Sequence, residues 1–130
     1  MIKTQLSKKQ IIETLAHGAQ STMFGKVSPG IMQVSGLEYT IEKDLSVSNI
    51  HILNQDGTIK YNLDDFDEND TFTCVYDVFL ATGVAGLSAL KKEQNDNTIE
   101  YFNISRQDVL IDYLSKAEIF DYKNTRIHIK

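Results

Sequence analysis

Two capped helix starts, one near each end of the chain, do most to limit how it can fold. Ser7 precedes Lys8-Lys9-Gln10. This is the reciprocal arrangement in which a hydroxyl accepts from the N–H three residues on and that residue's side chain reaches back. Leu6 and Ile11 are placed as a hydrophobic staple, and Ile11, Ile12 and Leu15 share one stripe. With Gly18 fitting the C′ position, the spacing predicts a helix over 8–17 whose apolar face docks on a sheet. Ser105 and Asp108, with Ile104 and Val109 as staple, repeat the pattern, and Val109, Leu110, Tyr113 and Leu114 line the expected inner face of a second helix.

The segments between and beside these helices read as strands and turns. Met1 to Gln5 is the end of a strand feeding the first helix, and Gln20 to Gly30 reads as a loop with a turn at Pro29-Gly30. Met32 and Val34, then Leu37, Tyr39 and Ile41, alternate with polar residues, which predicts two strand runs bent at Gly36. Ile50–Leu53 and Thr58–Tyr61 flank Asn54-Gln55-Asp56-Gly57, a strong hairpin signal. Thr71 to Leu80 reads as a buried strand that delivers a glycine-containing loop at its C-terminal end. Leu87 to Gln94 fits short helical turns closed by Asn95-Asp96-Asn97, Thr98 to Ile104 a strand, and Arg126–Ile129 a last short strand. The 130 residues contain no repeat, low-complexity tract or linker, and the expectation is one domain over 1–130.

Composition removes several function classes. Net charge is −5 and the 13 Lys and Arg form no block, which argues against a nucleic-acid surface. No apolar run approaches the roughly 18 residues of a membrane span, and the N-terminus has no long apolar signal core. Cys74 is the single cysteine, so neither an intrachain disulfide nor a multi-cysteine metal site can form. It reads as a packed thiol. His17, His51 and His128 lack metal-ligand spacing and read as structural or surface residues. Five of the seven residues from Asp64 to Asp70 are acidic, but the glycine and glutamate spacing of a calcium loop is missing, so the run reads as a solvated turn. Nucleophile elbow, phosphate-cradling and dinucleotide motifs are absent. The sequence pattern by itself therefore assigns no catalytic residue and no metal ligand. Phe79 is the remaining candidate: a ring at a strand end can stack on a planar base, although spacing alone favours a core position for it.

Two segments give this candidate its context: Gly30-Ile31-Met32-Gln33-Val34-Ser35-Gly36-Leu37 and Phe79-Leu80-Ala81-Thr82-Gly83-Val84-Ala85-Gly86. With the Leu-Ser-Lys-Lys-Gln helix start, its Leu-Ala-His-Gly end and the closing Arg126-Ile127, their order resembles that of the C-terminal domain of the 5′-nucleotidases over nearly the whole chain. In that family the corresponding segments are Gln-Val-Ser-Gly-Leu and Phe-Leu-Ala-x-Gly-Gly-Asp-Gly. The resemblance implies an α+β fold, a mixed β-sheet flanked by two or three helices. It implies a nucleotide-recognition role, with catalysis and two divalent metals in a separate N-terminal metallophosphoesterase domain. On that reading this chain holds no cofactor and is non-catalytic in isolation, and its parent is extracytoplasmic: periplasmic, secreted or at the cell surface.

By resemblance, Phe79 matches the phenylalanine that stacks on the base of a nucleoside monophosphate, and Gly83 is kept from the loop. Ala85 occupies the place of the aspartate that binds the ribose hydroxyls, Val84 replaces a glycine and Leu87 an aromatic residue. Loss of that carboxylate removes charge-assisted hydrogen bonds of roughly 1.5–3 kcal/mol. Val84 is unfavourable if the family glycine uses positive φ. Asp77 falls two residues before Phe79, on the same side of an alternating strand. The family's Asn-Gly-Gly-x-Arg and Pro-Phe-Gly-Asn segments would fall before Met1. The other reading is a diverged structural or protein-interaction module that has lost nucleoside binding.

Overall fold

The computed structural model describes residues 1–20, 30–93, 95–116 and 126–130. Two expectations, the loop over 21–29 including Pro29 and the end of the helical turns at Gln94, lie outside the described residues. Among those described, seven strands divide into two sheets. The first sheet has β1 (Ile2–Ser7) between β5 (Thr71–Tyr76) and β6 (Glu100–Tyr101), both antiparallel to it. The second has the order β4 (Ile59–Asn62), β3 (Val47–Leu53), β2 (Leu37–Ile41), β7 (Ile127–Ile129). It is mixed, because β7 runs parallel to β2 while the other pairs are antiparallel. With two α-helices among the described residues, this is the α+β class expected.

Helix α1 (Lys8–Gln20) starts where the cap predicts. Ser7 Oγ accepts from the Gln10 N–H at 3.1 Å, and the Ser7 N–H donates to Gln10 Oε1 at 2.9 Å. The acidic run has a structural use here: the first N–H groups of the helix, those of Lys8 and Lys9, donate to the carbonyls of Asp70 (2.8 Å) and Glu68 (3.2 Å). Ile11, Thr14, Leu15, Gly18 and Ala19 form the buried face of α1. Leu6 and Ile11 join Tyr39, Ile50, Leu63 and Leu90 in the core.

Gly18 does not end the helix, which continues to Gln20. A Cβ there would lie 2.8 Å from the Gly30 carbonyl oxygen and 3.1 Å from the Met32 nitrogen. The glycine admits the chain against the helix instead of stopping it. Met32 and Val34 form no strand; at Met32 the Tyr39 hydroxyl donates to the carbonyl at 2.8 Å, fixing that backbone by a side chain. Burial pushes the pKa of that phenol up to about 12. Gly36, at φ +77°, then turns the chain into β2.

The hairpin forms as expected, with His51 opposite Asn62 and Gly57 at φ +85°. Three strand and helix expectations are corrected. Thr71 to Leu80 is neither fully buried nor all strand: β5 ends at Tyr76, and as an edge strand it alternates half-buried Phe72, Cys74 and Tyr76 with exposed Thr71, Thr73 and Val75. The strand at 98–104 shrinks to Glu100–Tyr101, the two residues that pair with Lys3 and Ile2 of β1. Helix α2 (Arg106–Lys116) has its capping box, with the Asp108 N–H on Ser105 Oγ at 3.1 Å and the Ser105 N–H on Asp108 Oδ2 at 3.0 Å. Its expected inner face is nevertheless exposed, from Val109 at 44% to Tyr113 at 57%.

Candidate functional site

The segment after β5 is built from two successive tight turns. Asp77 accepts the Phe79 N–H on Oδ1 at 2.8 Å, a local side-chain turn that ends the strand. A 3₁₀ turn over Leu80–Thr82 follows, and Thr82 Oγ1 donates back to the Phe79 carbonyl at 2.7 Å. Because the strand stops at Tyr76, alternation does not relate Asp77 to Phe79. The carboxylate acts on the backbone of Phe79 instead. Its second oxygen takes Arg106 Nε at 2.9 Å, joining this segment to the start of α2.

Phe79 is 61% exposed, so the core position that spacing favoured is corrected. The turn directs the chain outward before the apolar residues Ala81, Leu87 and Leu90 return to the interior. Gly83 closes the first turn at φ +76°, and its N–H donates to the Leu80 carbonyl at 3.1 Å. The second turn, Val84–Gly86, has Ala85 at φ +55° and Gly86 at φ +78°. The strained residue is thus Ala85, not Val84, which is half-buried and keeps an ordinary negative-φ backbone. A left-handed conformation costs a non-glycine residue about 1–2 kcal/mol, so something else must hold position 85.

His17 supplies that contact. Its Nε2 lies 2.7 Å from the Ala85 carbonyl oxygen, and its ring occupies the space beside Gly86, where a Cβ would come within 2.9 Å of Cε1. No local pattern in the sequence links positions 17 and 85. The contact follows from packing α1 beside the loop, which a reading of His17 as a helix-end residue does not reveal.

The other histidines lie in the four-stranded sheet. His51 Nδ1 is 2.9 Å from Glu38 Oε1 and His128 Nε2 is 3.5 Å from Oε2, so one carboxylate ties β3 and β7 to β2. The hydrogen bond with His51 is the main reason the Glu38 carboxyl is held below its ordinary value, with burial opposing. Burial pushes the Cys74 thiol up, opposite to the environment of an activated nucleophile. Among the described residues, no group of three or more His, Cys, Asp or Glu is arranged to hold a metal ion. An apolar cavity of about 680 Å³ is lined from both sheets and α1, by Leu6, Ile11, Ile50 and Phe72 among others. Neither Phe79 nor Ala85 lines it. No described helix is long and apolar enough to cross a membrane.

No family profile and no curated protein matches the sequence. Solved structures do match. The crystal structure of a 5′-nucleotidase precursor from Thermus thermophilus covers 98% of this chain with a TM-score of 0.76 at 23% identity. The Haemophilus influenzae NAD nucleotidase (NadN) covers 99% with a TM-score of 0.75 at 13% identity. The chain spans about a quarter of the length of each, 24% in both cases. At these identities the likeness is one of fold: the chain folds as the C-terminal region of the 5′-nucleotidases does.

Proposed function

We propose that this chain is the nucleotide-recognition part of a 5′-nucleotidase-type hydrolase, non-catalytic alone, with the Phe79 ring as a platform for the base. The observation that carries this reading is the exposure of Phe79 immediately before a loop with left-handed backbone at Gly83, Ala85 and Gly86. An exposed ring offers a face that a buried one cannot. One stacking contact is worth about 1–3 kcal/mol, and with alanine at position 85 no carboxylate reaches the ribose from there, so a dissociation constant of several millimolar or weaker is expected. The partner in this reading is a preceding metallophosphoesterase domain that carries the two divalent metals and the hydrolytic chemistry, in an exported parent.

Titration of the ¹⁵N-labelled chain with adenosine and AMP tests it. Amide shifts are expected at Phe79 and Gly83, lost in Phe79→Ala. Unmoved amides at about 10 mM ligand would refute nucleoside recognition at this loop. Ala85→Asp is expected to tighten binding by about tenfold to a hundredfold. Aspartate is among the few non-glycine residues at ease in the left-handed region, so the backbone accommodates it. The exposed apolar residues of α2 favour a second reading, a protein-interaction module without a nucleoside site. Under that reading Ala85→Asp gains nothing.

A further inference from the structure

We infer that His17 is the positioning residue of the loop at Gly83–Gly86, setting where the side chain at position 85 stands. The inference deepens the nucleoside-binding reading and rests on it only for its affinity arm. Three observations carry it. Ala85 has no left-handed preference of its own, yet adopts φ +55°, and its carbonyl oxygen lies 2.7 Å from His17 Nε2. Gly86 leaves room for the imidazole, since a Cβ there would be 2.9 Å from Cε1 and 3.2 Å from Nε2. The helix that presents the ring is itself fixed, because buried Gly18, the next residue, lies against the Gly30–Met32 backbone. A packed helix thus holds a strained turn by one directed bond.

The chemistry specifies the proton. A carbonyl oxygen only accepts, so Nε2 must carry hydrogen, which selects the Nε2–H tautomer of the neutral ring. The imidazolium also donates from Nε2, so protonation preserves the contact. His17→Ala removes the donor, whereas His17→Gln keeps an N–H donor on a chain long enough to reach.

Long-range ¹⁵N–¹H correlation of the unmodified protein is expected to report the Nε2–H tautomer at His17. Amides of Val84–Leu87 are expected to shift in His17→Ala and to return toward their original positions in His17→Gln, with adenosine affinity falling about fivefold and recovering in parallel. An Nδ1–H tautomer, or Val84–Leu87 amides unmoved in His17→Ala, overturns the inference. If the unmodified chain binds no adenosine, the nucleoside reading fails while the tautomer and the amide shifts still decide the role of His17.

Discussion

Helices α1 and α2 begin with the same local grammar and end in opposite environments. Each has a serine cap whose hydroxyl receives the N–H three residues on, and each returns that bond through a side chain. Yet α1 buries Ile11, Thr14, Leu15, Gly18 and Ala19, while α2 has no buried residue. A cap satisfies the first N–H groups and fixes where a helix starts. It carries no information about what the apolar stripe will meet, because that depends on the position of the next layer. The stripes look alike in sequence; among the described residues, only α1 has a sheet and the Gly30–Met32 segment against it.

Three measurements press on this contrast. The largest separation is expected between Leu15→Ala and Leu110→Ala in urea unfolding. Leu15 is 3% exposed and its truncation should cost about 2–5 kcal/mol. Leu110, at 55% exposure, should stay within about 0.5 kcal/mol. Similar losses at the two sites would mean that α2 is packed in solution and would end the distinction. Next comes Gly18→Ala. Helix propensity favours the change by up to about 1 kcal/mol, but the new methyl meets the Gly30 carbonyl at 2.8 Å. A net loss of about 1–3 kcal/mol is expected, and a gain would show that the Gly30–Met32 segment yields freely. The smallest pair is Ser7→Ala against Ser105→Ala. Each removes a cap worth about 1 kcal/mol, but only Ser7→Ala should lower the global unfolding midpoint. Ser105→Ala should instead speed hydrogen exchange within 106–116 alone.

The same logic separates what could be read from the chain from what could not. The starts of α1 and α2, the hairpin turn at Gly57, the first part of the strand expected over Thr71–Leu80 and the short closing strand follow from capping, turn chemistry and alternation, all of which act over a few residues. What stayed hidden depends on long-range placement. Met32 and Val34 alternate like a strand, but the Tyr39 hydroxyl and the hollow at Gly18 take up the backbone at Met32. Phe79 looks like a core residue until Asp77 turns the chain outward in front of it. At the candidate site, a glycine-containing loop after β5 was legible and its strain was not. Val84 carries the branched side chain, while the left-handed residue is Ala85, held from position 17.

The place of β1 in its sheet has a kinetic consequence. The earliest strand of this chain is the middle strand, with Ile2 opposite both Tyr76 and Tyr101. Its nearer neighbour, β5, is made only after α1 and the whole of the hairpin, and its other neighbour, β6, later still. Contacts this far apart in sequence are slow to form, because a long loop must close before they stabilise anything. During synthesis β1 therefore precedes both strands that pair with it, and β5 and β6 join it from either side only after the intervening chain has been made.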